Sequence, residues 1–145
     1  MTLIQRIIHA LLVVQPPHPL FVHFPVALIS TALFFLLLAV WRKNDLLEKI
    51  AFANISLAAV SIIAAAIVGI RDNAVFYGGI APNHIAKIII ASILFFLTGT
   101  LAILRWRNKD LFHGHGRALY ITGYAIAFVM VGVQGFLGGI IMYGF

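Results

Sequence analysis

Four apolar runs, roughly Leu20–Trp41, Leu46–Ile70, Ile85–Leu104 and Leu119–Tyr143, dominate this chain. Each is long enough to cross a hydrocarbon core, for which an α-helix needs about 20 residues. Lipid offers the main chain no hydrogen bonds, so each run must satisfy its own N–H and C=O groups as a helix. The expected fold class is therefore all-α, an integral membrane four-helix bundle. Composition agrees, since 63% of residues are hydrophobic and only 10% are charged, too little polar surface for a dissolved domain. Cysteine is absent, which removes disulfides, thiolate metal sites and cysteine nucleophiles.

Ahead of the spans, Leu3, Ile4, Ile7, Ile8, Leu11 and Leu12 recur at helical spacing around Gln5, Arg6 and His9. The pattern predicts a short amphipathic helix in the membrane interface over residues 1–16, followed by a single four-span domain over 17–145. Gln15-Pro16-Pro17 follows where a small-residue cleavage site would stand, so the segment does not read as a cleaved signal peptide. Arg42–Asp45 joins the first two spans, with Asp45 and Glu48 spaced as a capping box for the second. Arg71–His84 contains Gly78, Gly79 and Pro82 and is expected to be a loop.

The net charge of +6 would suggest nucleic acid in a soluble protein. Here the basic residues gather at the ends of apolar runs, so the expected partner is the lipid bilayer and nucleic acid is not one. One end of the bundle collects Arg42, Lys43, Lys49, Arg105, Arg107, Lys109 and Arg117, and the other only Arg6, Arg71 and Lys87. The positive-inside rule makes the first end cytoplasmic. Both termini and the Arg71–His84 connection are then expected on the periplasmic side of a bacterial inner membrane, crossed in multiple passes.

An internal similarity suggests two repeated helical hairpins. His23 and His84 are each followed ten residues later by Leu-Phe-Phe, at Leu33-Phe34-Phe35 and Leu94-Phe95-Phe96. Both runs end in a Trp-Arg pair, Trp41-Arg42 and Trp106-Arg107. Two parallel hairpins would be related by an axis along the membrane normal, with His23 and His84 at equal depth.

Up-down topology gathers His18, His23, Asp72, Asn83, His84 and Tyr143 at the less basic end, with Gln134 about two turns deeper. An ionisable group inside a span is a functional candidate because burying it is costly. Histidines on facing helices of a bundle can ligate the iron of haem b, which makes His23 and His84 the candidate axial pair. Asp72, Asn83 or Gln134 would then orient an imidazole or meet a propionate, and Arg71 and Lys87 would neutralise propionates. Gly135 and Gly139, a GxxxG pair, serve close helix packing or leave room for a flat macrocycle. A second reading is a zinc or copper site or transporter built from His18, His23, His84 and Asp72. The third is a cofactor-free accessory subunit of a larger membrane complex, or a homodimer, docking through Gly-rich helices. His113-Gly114-His115 is a weak divalent-metal motif or a polar turn. Glu48 and Asp110 are expected to neutralise loop charge or cap helices. No nucleophile–base–acid set, phosphate loop or HExxH motif occurs, so no residue is assigned a catalytic role, and electron transfer or an accessory role is favoured over an enzyme.

The segment His18-Pro-Leu-Phe-Val-His23-Phe-Pro-Val-Ala-Leu resembles the opening motif of an uncharacterised family of bacterial membrane proteins, domain of unknown function twenty-two thirty-one. The resemblance continues through Gly69-Ile-Arg-Asp72, His84 and Gly138-Gly139-Ile-Ile-Met-Tyr143-Gly144. It implies a four-helix membrane domain of unestablished activity. Some relatives are joined to Rieske or cytochrome c type domains, which implies redox partner proteins. The usual extension after Tyr-Gly does not follow here.

Overall fold

A computed structural model of the chain describes residues 2–10 and 16–143. It contains α1 (Leu3–His9), α2 (His18–Arg42), α3 (Asp45–Tyr77), α4 (His84–Arg107) and α5 (Arg117–Tyr143). The last four are long and apolar enough to cross a membrane, so the protein is an all-α, multi-pass membrane bundle. Helix α1 opens on a capping box in which Thr2 Oγ1 accepts from the Gln5 N–H and Gln5 Oε1 accepts from the Thr2 N–H. Leu11, Leu12 and Gln15 of the expected interfacial helix lie outside the described residues.

Two local expectations are corrected. The cap of α3 is Asn44, whose Oδ1 accepts from the Leu46 N–H at 2.8 Å and the Leu47 N–H at 3.4 Å. Asp45 and Glu48 therefore form no capping box, and Glu48 turns into the bundle. The expected loop from Arg71 is also mostly helix, because α3 runs on to Tyr77. It stops where Gly78 and Gly79 take positive φ values of 59° and 85°, a left-handed turn that glycine enters without a Cβ clash. Asn73 ties this turn together, its Oδ1 accepting from the Ala81 N–H and its Nδ2 donating to the Gly79 carbonyl. At 1.5 Å per residue α3 is about 50 Å long, so it tilts or extends beyond a hydrocarbon core of about 30 Å.

Each of α2 and α4 packs against both α3 and α5. Among the described residues the backbones of α2 and α4, and those of α3 and α5, do not approach closely, so the two helices that open the sequence repeat stand across a diagonal. The core is a set of helical stripes: Ile29, Ala32, Leu36 and Ala39 on α2, Ala51, Ile55, Ala58 and Ile62 on α3, Leu94, Thr98 and Leu101 on α4, and Tyr120, Tyr124, Ala127 and Val131 on α5. Successive members lie three or four residues apart, the spacing that keeps side chains on one helix face. Large apolar side chains such as Phe34, Val60, Phe96 and Phe136 point outward, as lipid contact requires. Gly123 packs so closely against α4 that a Cβ there would lie 2.6 Å from Leu101 Cδ2.

Candidate functional site

The bundle is apolar at mid-height and polar at each end. At the histidine end, α2 begins with Pro17 as its cap, His18 first and Pro19 second. The His18 N–H donates to Asp72 Oδ2 at 2.8 Å, and the His18 ring donates Nδ1–H to the Ala65 carbonyl at 3.0 Å. A carbonyl can only accept, so the proton on that ring sits on Nδ1 and a neutral imidazole keeps its Nε2 lone pair. Asp72 is 3% exposed, and its other oxygen accepts from Arg71 Nη1 at 2.8 Å. The ring lies against α3 where Gly69 has no side chain: a Cβ there would come within 2.8 Å of His18 Cε1 and Nδ1. Gly69→Ala is therefore expected to displace the ring and break its bond to Ala65, lowering stability by about 1–3 kcal/mol. Denaturant unfolding in detergent measures the loss, and Gly69→Ala combined with His18→Ala should recover the overpacking part of it.

The remaining candidates divide into inward and outward sets. Gln134 on α5 donates Nε2–H to the Lys87 carbonyl on α4 at 2.7 Å, while its Oε1 is buried without a partner. The half-buried Lys87 lies within electrostatic reach of His18 and has no side-chain hydrogen bond among the described residues. His84 is half-buried at the start of α4 and donates Nδ1–H to the Ala81 carbonyl at 2.7 Å. Asn83, exposed, caps α4 by position in a left-handed conformation with φ 55° and forms no side-chain cap. His23 is exposed on α2, its Nδ1–H given to the Pro19 carbonyl one turn back. His18, Arg71 and Asp72 thus form one cluster, Lys87 and Gln134 adjoin it, and His23 stands apart on the outer surface. A Cβ at Gly132 or Gly135 would meet nothing within 4 Å, so these two glycines serve no close packing among the described residues. Gly139 is half-buried, and the Tyr143 side chain lies outside the described residues. No three His, Asp or Glu side chains converge as a metal site among the described residues.

The basic end holds a second cluster, centred on Glu48. Glu48 is 1% exposed and accepts from Arg105 Nε at 2.6 Å and Nη2 at 2.8 Å. Tyr120 Oη donates to Glu48 Oε1 at 3.1 Å, and with that proton committed the Tyr124 hydroxyl is the donor in the 2.8 Å Tyr124–Tyr120 bond. The expectation that Glu48 serves loop charge or a cap is corrected here: its carboxylate ties α3, α4 and α5 together. In the neighbouring turn His113 Nε2 meets Asp45 Oδ1 at 2.9 Å in an exposed contact, so one histidine of the His113-Gly114-His115 triplet is already engaged. The signal for Glu48 was its phase, since Glu48, Ala51, Ile55 and Ala58 share one face of α3.

Four antiparallel spans with polar clusters at both ends and an apolar middle define a small integral membrane bundle. The chain belongs to the family described as predicted membrane proteins, DUF2231, whose profile matches residues 14–145. No curated protein and no solved structure matches it.

Proposed function

We propose that the histidine end binds haem b and serves electron transfer in the membrane. The observation that carries the reading is shared by His18, His23 and His84: each commits its Nδ1–H to a main-chain carbonyl. That bond fixes the ring and leaves Nε2 available, the arrangement found in metal-ligating histidines. Fit to haem is supported on the polar side as well. Lys87 is a half-buried cation without a hydrogen-bonding partner among the described residues, suited to a propionate, and Arg71 carries charge at the same end. His84, together with His23 or the inward His18, would hold the iron. Bound haem would supply one-electron transfer, and this chain would hold the iron and neutralise the propionates. With His23 on the outer surface of α2, redox partner proteins or a second copy would cover that side. The seven-to-three basic bias supports a site on the periplasmic face of the inner membrane.

An absorption spectrum of protein purified from haem-replete cells tests this. A Soret band with a sharp α band is expected, abolished by His84→Ala and by His23→Ala or His18→Ala, whichever is the second ligand. A colourless preparation, or a spectrum that none of the three variants alters, overturns it. A second reading, a cofactor-free accessory subunit, is favoured by Gly132 and Gly135, which face open space where a partner helix could approach closely. A colourless chain that copurifies with a larger membrane complex would support that reading. Zinc or copper ranks third, to be detected by metal analysis before and after His84→Ala.

A further inference from the structure

At the basic end, a groove of about 200 Å³ runs between α3 and α4, lined by Phe52, Ser56, Ala102, Ile103 and Trp106. Its walls are apolar, for the Ser56 hydroxyl is spent on the Phe52 carbonyl at 2.8 Å. One turn deeper on α4 is Gly99, where a Cβ would meet nothing within 4 Å, so no side chain closes the groove toward the middle of the membrane. Its mouth is cationic. Lys49 precedes Phe52 by three residues and Ser56 by seven, and Arg107 follows Ile103 by four. Both therefore stand one turn outward on the same faces as the lining residues, and both are exposed.

The charges at that mouth are not neutralised within the chain. Glu48 is taken by Arg105 and Asp45 by His113, and neither Lys49 nor Arg107 has an ion-pair partner among the described residues. We propose that this groove is a binding site for one anionic phospholipid, its acyl chain lying along Phe52, Ala102 and Gly99 and its phosphate held by Lys49 and Arg107. The charge complementarity selects an anionic headgroup, because a zwitterionic one brings its own cation to the same mouth. Basic pockets between spans recognise lipid headgroups in this way, and Trp106 lies at the level where aromatic side chains favour the interface.

Native mass spectrometry of the full chain in detergent, titrated with phosphatidylglycerol, phosphatidylcholine or inorganic phosphate, tests the proposal. One phosphatidylglycerol is expected to bind well ahead of the other two. Removing both charges in Lys49→Gln/Arg107→Gln should weaken it about 30-fold, at about fivefold per cation. Gly99→Leu, which obstructs the deep end without changing charge, should weaken it as well. Arg42→Gln/Lys43→Gln, at the same end but outside the groove, should leave binding unchanged. Equal binding of phosphatidylcholine, equal binding of inorganic phosphate, or an equal loss in the Arg42/Lys43 pair would each overturn the site. All four charged positions are exposed, so folding is not at stake in these variants.

Discussion

Glu48→Ala is expected to destabilise the bundle by about 3–5 kcal/mol, the range for removing one partner of a buried ion pair. The size follows from what the alanine leaves behind. The Arg105 side chain is only 12% exposed, and without Glu48 its guanidinium keeps a full charge but loses both bonds to the carboxylate. The Tyr120 hydroxyl, buried beside it, loses its acceptor at the same time. Because Glu48, Arg105 and Tyr120 come from three different helices, the damage is to the assembly of the basic end and not to one helix. Replacing both charges, as in Glu48→Leu/Arg105→Met, should restore most of the stability, since an apolar pair of similar volume is often neutral relative to a buried ion pair. Denaturant titration in detergent micelles, followed by tryptophan fluorescence, separates these cases. A loss below about 1 kcal/mol in Glu48→Ala would mean that the pair behaves as a surface contact.

The spans were legible because length and hydropathy decide them almost alone, and lipid leaves the main chain no alternative to a helix. The ends were read less well, and α3 shows why. Gly78-Gly79 does stop the helix, but Arg71, Asp72 and Asn73 look like loop residues until their partners are known. Asp72 is bonded to α2 and Asn73 to the turn that follows, so their polarity is consumed by structure.

The same holds for the histidines. The repeat pairs His23 with His84, whereas the buried stripes pair His84 with His18. Counting back along α2 from Ile29 through Pro25 at steps of three and four reaches His18 and passes over His23. On α4 the same steps from Leu94 reach Lys87 and His84, on α3 those from Ile62 reach Ala65, Gly69 and Asp72, and on α5 those from Val131 reach Gln134 and Gly138. Phase extended into the polar ends therefore marks the inward residues at both faces of the membrane. It also marks Glu48 and Arg105, whose inward position charge alone does not reveal. What phase does not reveal is which partner each residue meets, because that depends on how four helices are rotated and staggered against one another.

Asp72→Ala is expected to lower stability by about 2–3 kcal/mol, and the reason lies in an account of main-chain donors at the start of α2. A helix leaves its first N–H groups without partners inside the helix. In α2, Pro19 has none to offer, and the Leu20 and Phe21 N–H groups both turn back to the Pro17 carbonyl at 3.1 and 3.4 Å. His18 is left as the donor that needs an outside acceptor, and Asp72 supplies it across the helix pair at 2.8 Å. The carboxylate also lies where the positive end of the α2 dipole favours negative charge, and hydrogen bonds to charged groups contribute about 1.5–3 kcal/mol each. Asp72→Asn keeps an oxygen for the His18 N–H but loses the charge that faces Arg71, so it should lie between the wild type and the alanine variant. Hydrogen exchange adds a local readout, in which the His18 amide should lose protection in Asp72→Ala while amides near Leu36 at mid-helix keep theirs. If that amide stays protected in Asp72→Ala, the joint between α2 and α3 rests on the packing of the His18 ring against Gly69 and not on the carboxylate.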